Sequence, residues 1–258
     1  TGVWHHFLIT GNTTFLHELW PHVQAGLDFA CALQSPQGEI AWALDDRGEA
    51  YADALLTGCS SIYKSLECGY LISRVVDKDR EDWLFTRQRL GQAIAGKPQC
   101  FDRTWASKSR FSMDWFYPVL CGVLSVPGGK KRLDNRWGDF VQTVRGCRCV
   151  SDQPWFTVAE TSELIMALTA VGHRAKAATL FYDMQGARHR DGSYWTGYQS
   201  ELDIFWPLER PTWTAGAVIL ATDALAGLSP ACNLFTVNSL RHSWEAAHEV
   251  YAANGPRC

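Results

Sequence analysis

Segments apolar on every face alternate along this chain with segments apolar on one face only, and that alternation restricts the fold more than any single motif does. Leu55 to Val76, Asp114 to Leu124, Val158 to Val171 and Thr212 to Leu225 are apolar nearly all round, the pattern of helices touched by neighbours on every side. Between them, 14–33 (Leu16, Leu19, Trp20, Val23, Leu27, Ala30), 79–95 (Trp83, Leu90, Ile94) and 131–144 (Leu133, Trp137, Phe140, Val141, Val144) carry one-sided stripes at helical spacing. The stretch 173–186 is the more polar partner of the buried stretch before it. Residues 1–10 read as a helix stopped at Gly11-Asn12, Pro21 predicts a kink, Asp79 an N-cap, and Ser229-Pro230 the opening of a last helical region. Few stretches alternate with period two, so strands are expected to be minor.

Buried and amphipathic helices taking turns are what a ring of helical hairpins requires. The expectation is an all-α protein, an (α/α) toroid with about five of its usual six hairpins, whose inner helices centre near residues 5, 64, 119, 164 and 218. The chain opens without Met at Gly2-Val3-Trp4-His5-His6-Phe7-Leu8, inside what reads as a helix already under way, so the missing hairpin is expected upstream of Thr1. Residues 1–235 are assigned to the toroid and 236–258 to a helical tail.

Two loops echo each other. Gln34-Ser35-Pro36-Gln37-Gly38-Glu39-Ile40-Ala41-Trp42 and the stretch from Gln185 to Asp191-Gly192-Ser193-Tyr194-Trp195 both begin at a Gln near a helix end, pass a Gly and close on a Trp. The second runs on through Glu209-Arg210-Pro211-Thr212-Trp213, a long aromatic stretch of the kind that carries function more often than mere connection.

Composition narrows the partners. The net charge of −3 offers no electrostatic footprint for nucleic acid or an anionic membrane, and no apolar run reaches the ~18 residues of a membrane span. Nine scattered cysteines read as free thiols, and Cys147-Arg148-Cys149 lacks the second pair that zinc requires, so neither metal nor cofactor is expected. A cytoplasmic location and a homo-oligomeric assembly are both compatible with this composition. Of the twelve tryptophans, seven fall in loops or at helix starts, where rings make walls for a flat, partly apolar ligand such as a sugar or an isoprenoid. Trp42, Trp115, Trp155, Tyr194, Trp195, Trp206 and Trp213 are therefore the candidate substrate-binding residues.

The hairpin alternation, with its Gln-to-Gly-to-Trp loop ends, resembles the α/α-toroid superfamilies: the six-hairpin glycosidases on one side, terpenoid cyclases and prenyltransferases on the other. Leu55-Leu56-Thr57-Gly58-Cys59-Ser60-Ser61-Ile62-Tyr63, Met113-Asp114-Trp115-Phe116-Tyr117-Pro118 and Cys149-Val150-Ser151-Asp152-Gln153-Pro154-Trp155 also look like actinobacterial proteins labelled prenyltransferase-like. That resemblance covers roughly residues 1–235. The isoprenoid branch would bring an Asp-x-Asp-Asp proton donor, an Asp/Cys/His zinc set or an Asp-Asp-x-x-Asp motif; none is present, and Asp45-Asp46 lacks the third carboxylate.

Glycoside hydrolysis needs two carboxyl groups across the scissile bond, one protonated and one ionised. Asp114, set between Met113 and Trp115 at an inner-helix start, suits the general acid, because apolar surroundings favour the neutral form. Glu160, entering the next inner helix, suits the general base, with Glu39 and Glu209 in reserve; Glu209-Arg210 also reads as an ion pair ordering its loop. A carboxylate in a first helical turn also serves as a cap or dipole partner, and both roles stay open here. The reading that emerges is a carbohydrate-active hydrolase acting on an oligosaccharide or other small molecule. An isoprenoid-binding, cyclase-like or prenyltransferase-like protein and a non-catalytic scaffold are the alternatives.

Overall fold

A computed structural model describes residues 1–237 together with 240, 244, 245 and 250. The chain divides into two compact units, one of Thr1–Ala106 joined by the described residues from Val237 onward, the other of Ser107–Thr236. Most of the tail expected over 236–258 lies outside the described residues.

Over Thr1–Ala106 the first unit contains the α-helices α1 (Gly2–Thr10), α2 (Thr13–Ala32), α3 (Leu56–Val75) and α4 (Glu81–Gly96). Gly11 ends α1 in the left-handed conformation, and the Asn12 side chain caps α2 by accepting from the Phe15 N–H at 3.0 Å. Helix α2 runs unbroken through Pro21. The N-cap of α4 is Arg80 and not Asp79, whose carboxylate instead accepts the Glu81 N–H at 3.3 Å. Helix α3 packs against α1, α2 and α4 over Trp4, Phe7, Leu66, Leu71, Trp83 and Leu90. It is less apolar than its sequence pattern suggests, because it buries Lys64 and Glu67, paired at 2.7 Å, with Arg87 of α4 closing on Glu67 at 2.5 Å. A charge with its counter-charge beside it is tolerated where a lone one is not.

The second unit centres on α8 (Val158–Ala170), against which α5 (Ser112–Leu120), α9 (Arg174–Asp183) and α10 (Thr212–Ala226) pack. The core joins Trp115, Phe116, Phe140, Leu164, Leu168 and Leu180. Between α5 and α8 the chain forms α6 (Val126–Asn135), the four-residue α7 (Trp137–Phe140) and the hairpin β1 (Val141–Gln142) with β2 (Gly146–Cys147). A second antiparallel sheet of β3 (Trp155–Thr157), β4 (Gly197–Gln199) and β5 (Ile204–Phe205) pairs Phe156 with Tyr198 and Tyr198 with Phe205.

The all-α toroid expectation is corrected by these two sheets: the fold combines helices with short antiparallel β-structure. The helix expected over 131–144 breaks after Asn135 and ends in β1, and the one expected from Asp114 to Leu124 stops at Leu120. Ser229-Pro230 leads into turns, since Asp223 accepts the Leu228 and Ser229 N–H groups and the Ser229 hydroxyl and so turns the chain away from helix. Strands of two or three residues satisfy backbone groups in the connections, yet they are too short to print a period-two pattern on the sequence.

Candidate functional site

The echoing loops form the same turn. Around Gly38 the Gln34–Ile40 bridge is closed by Ser35 N–H to Glu39 O, Gly38 N–H to Ser35 O and Ala41 N–H to Leu33 O. Around Gly192 the Arg188–Tyr194 bridge repeats these three bonds with His189, Ser193, Gly192, Trp195 and Ala187. A further copy, unnoticed in the sequence, surrounds Gly48, with the Leu44–Ala50 bridge and Tyr51 N–H to Ala43 O. The three glycines have φ of 109°, 92° and 81°, a region that costs other residues strain. In this register Gln34 matches Arg188 and Ala41 matches Trp195, so Gln185 and Trp42 are not equivalents within the turn.

Within the second unit, α8 carries two carboxyl groups one turn apart, and α5 packs against that helix. Glu160 stands in the first turn of α8, where it accepts a hydrogen bond from the Cys149 thiol; burial and this neighbouring charge push that thiol up to about 12. Cys149 is itself bound to the start of α5, its carbonyl accepting the Ser112 N–H at 2.9 Å. One helical turn after Glu160, on the same face, lies Glu163. Burial raises it to about 7; a hydrogen bond from the Tyr117 hydroxyl at 2.9 Å opposes that rise, and the charge of Glu160 adds to it. Sequence reading missed Glu163, because it lies inside a stretch taken for uninterrupted core. The available signal was the cost itself: a carboxyl group in an otherwise buried helix demands an explanation.

Asp114 is 8% exposed in the first turn of α5. Its electrostatic partner is Arg132, a half-buried side chain whose guanidinium donates to the carbonyls of Asp114 and Trp115 at 2.9 and 2.7 Å. Glu209 is exposed and meets the Thr196 hydroxyl at 3.4 Å. Its neighbour Arg210 pairs with Asp191 instead, at 2.5 Å, and also reaches His189, Ser193 and the face of Trp195. The expected Glu209–Arg210 pair is thus replaced, because the Gly192 turn presents Asp191 to the guanidinium. Glu39 belongs to the first unit, 1% exposed and paired with Arg103 at 2.9 Å.

The aromatic candidates sort by burial. Trp115 is a correction: only 1% exposed, it stacks on Phe140 with centroids 5.0 Å apart and donates to Arg132 O, so its ring fills the core and walls no opening. Tyr194 is also buried, its hydroxyl spent on Gln185 at 2.8 Å. Trp155 and Trp206 meet edge to face at 5.5 Å, and the Trp155 indole N–H donates to Trp206 O. Trp195 stacks on Phe205 at 5.5 Å. Trp206 and Trp213 are exposed in the second unit, as is Trp42 in the first, where it meets Trp105 edge to face. Strand β3, which carries Trp155, continues directly into α8, which carries Glu160, so one uninterrupted segment bears a half-buried ring and a carboxylate.

Among the described residues no group of three or more His, Cys, Asp or Glu side chains could hold a metal ion, and no helix is long and apolar enough to cross a membrane. Eight cysteines among them are free thiols, five of them buried. No family model matches the chain. A curated relative, the MMP endo-(1,4)-3-O-methyl-alpha-D-mannosidase of Mycolicibacterium hassiacum, is 43% identical over 257 residues, covering 100% of this chain and 70% of the relative.

Proposed function

The chain belongs to the family of the Mycolicibacterium hassiacum mannosidase, and on that premise we propose that it hydrolyses internal 1,4 linkages of a glycan containing 3-O-methyl-α-D-mannose. The kinship favours a sugar over the isoprenoid and scaffold readings set beside it above.

The observation that carries the mechanism is the Glu160–Glu163 pair. A glycosidase acid must still hold its proton near neutral pH while a neighbouring carboxylate has lost its own. Glu163, held protonated to about 7 by burial and by the charge of Glu160, has that property. In the reaction Glu163 gives its proton to the glycosidic oxygen as the bond to the anomeric carbon breaks. Glu160 takes a proton from the water that adds to that carbon. This reading moves the acid role from Asp114 to Glu163 and keeps Glu160 as base. Asp114 then serves as counter-charge to Arg132, and Glu209 as an acceptor that orders the loop. The exposed Trp206 and Trp213 offer ring faces to sugar C–H groups, while the free thiols agree with work in a reducing, cytoplasmic setting.

The test is release of reducing ends from a 1,4-linked 3-O-methyl-α-D-mannose oligosaccharide. Glu160→Gln and Glu163→Gln should each lower kcat by about 10²-fold or more while remaining folded. Wild-type turnover in both variants would dismiss the assignment.

A further inference from the structure

A cavity of about 180 Å³ lies in the second unit between the β1–β2 turn, the β3–β4–β5 sheet, the start of α8 and the short helical turn Met184–Ala187. At the ~30 Å³ that a water takes in the liquid, it has room for about six. Phe156, Tyr198 and Phe205 line it as direct cross-strand neighbours on one face of the sheet, with buried Val158 and Met184 as further apolar walls. Val158 and Thr161 of α8 face this cavity, whereas Glu160 and Glu163 are not among its walls. Glu163 projects about 200° round the helix from Thr161, so the cavity is separate from the carboxyl pair given a hydrolytic role above.

Two opposite charges line it and do not meet. Half-buried Asp183 accepts the Val144 N–H at 2.9 Å through Oδ2, and its Oδ1 is neither enclosed nor bonded to a described residue. Exposed Arg145 lays its guanidinium over the Tyr198 ring, 4.4 Å from the centroid. Asp203 does not serve as its counter-ion, because it accepts the Tyr198 hydroxyl. Among the described residues neither Asp183 nor Arg145 has an ion-pair partner.

The turn between these charges is strained. Val144 has φ of 68° in the turn closed by Arg145 N–H to Gln142 O at 3.1 Å. Glycine adopts that region freely, while a β-branched residue there is an outlier of the kind that gathers at ligand sites. The chain keeps valine in this place, and the valine lines the cavity.

The ligand class follows from these walls. An anion alone meets Asp183, and a cation alone meets Arg145. The interior offers no polar group, since the Thr161 hydroxyl is spent on Thr157 O and Cys147 N–H and the Thr157 hydroxyl oxygen is enclosed. We propose that the cavity binds a small apolar amino acid as its zwitterion, the carboxylate on Arg145, the ammonium on Asp183 Oδ1 and a branched aliphatic side chain among Phe156, Val158 and Met184. This site does not depend on the hydrolytic reading.

Methionine-methyl NMR of the full chain tests it, because the sequence holds three methionines and only Met184 lines the cavity. L-Leucine should move the Met184 methyl saturably and leave those of Met113 and Met166 in place. Isopentylamine lacks the carboxylate and isocaproate the ammonium; each should bind about threefold to fivefold more weakly, the scale of an ion pair at an open mouth. Asp183→Asn retains an acceptor for the Val144 N–H, and Arg145→Gln changes an exposed side chain, so both variants should keep the native Met113 and Met166 signals. In Asp183→Asn, leucine and isocaproate should bind alike; in Arg145→Gln, leucine and isopentylamine should. A Met184 methyl that leucine does not move, isocaproate or isopentylamine binding as tightly as leucine to the wild type, or a preference for leucine that survives both substitutions would overturn the proposal.

Discussion

The Tyr117 hydroxyl donates to Glu163 Oε1 at 2.9 Å, joining α5 to α8 at a carboxyl group that keeps its proton to about 7. The bond favours the ionised form, so it acts against the burial that raises the group. Tyr117→Phe should therefore let Glu163 hold its proton to higher pH. If Glu163 is the acid, the basic limb of kcat/KM, near 7 in the wild type, should move upward in this variant. A limb that stays in place would separate Glu163 from the acid role.

Glu163 also ties stability to pH. Its folded-state value lies above the 4.5 of a free Glu, so its contribution is fully present below about 4.5 and is lost as pH rises through about 7. The loss should be about 3–4 kcal/mol, and above that window this group adds no further slope. Urea unfolding between pH 4.5 and 8 should show the decline in wild type and a flatter profile in Glu163→Gln. Parallel profiles would contradict it.

Glu67 joins two cations, Lys64 and Arg87, in the first unit. Glu67→Gln leaves both buried charges without their counter-ion and should cost about 3–5 kcal/mol. Lys64→Met should cost less, because Arg87 still neutralises Glu67. Equal losses in the two variants, measured by chemical denaturation, would show that the carboxylate is not the hub.

Gly197 is needed for space. A Cβ there would stand 2.6 Å from Phe156 O and 2.7 Å from the Trp155 indole nitrogen. Gly197→Ala should destabilise by roughly 1–3 kcal/mol through overpacking and should dislodge Trp155 from Trp206 O. A change in tryptophan emission accompanying a lowered urea midpoint would record both effects. An unaltered midpoint would mean that the strand pair yields freely.

Helix positions were legible because burial repeats at helical spacing over many residues: Leu16 to Ala30 and Trp83 to Ile94 announce α2 and α4 without help from distant contacts. The Gly38 and Gly192 turns were legible as an echo, though with Trp42 and Trp195 in the wrong register, since cross-turn hydrogen bonds set the alignment and side-chain identity does not. The β3–β4–β5 sheet was not legible. Strand β3 pairs with β4 across some forty residues, and two- or three-residue strands leave no periodic trace.

The carboxylates divide in the same way. That acidic residues such as Asp114 and Glu160 open buried helices is a local property, readable from their neighbours in the chain. Which of them meets Arg132, which meets Cys149, and that Glu163 would be held protonated against Tyr117 depend on how α5 and α8 pack. The sequence by itself determined where the helices run, where the glycine turns fall and that tryptophan and acid accompany each other. Only the tertiary structure decided which carboxyl groups share an environment, because desolvation and charge coupling act through space and are set by residues far away along the chain.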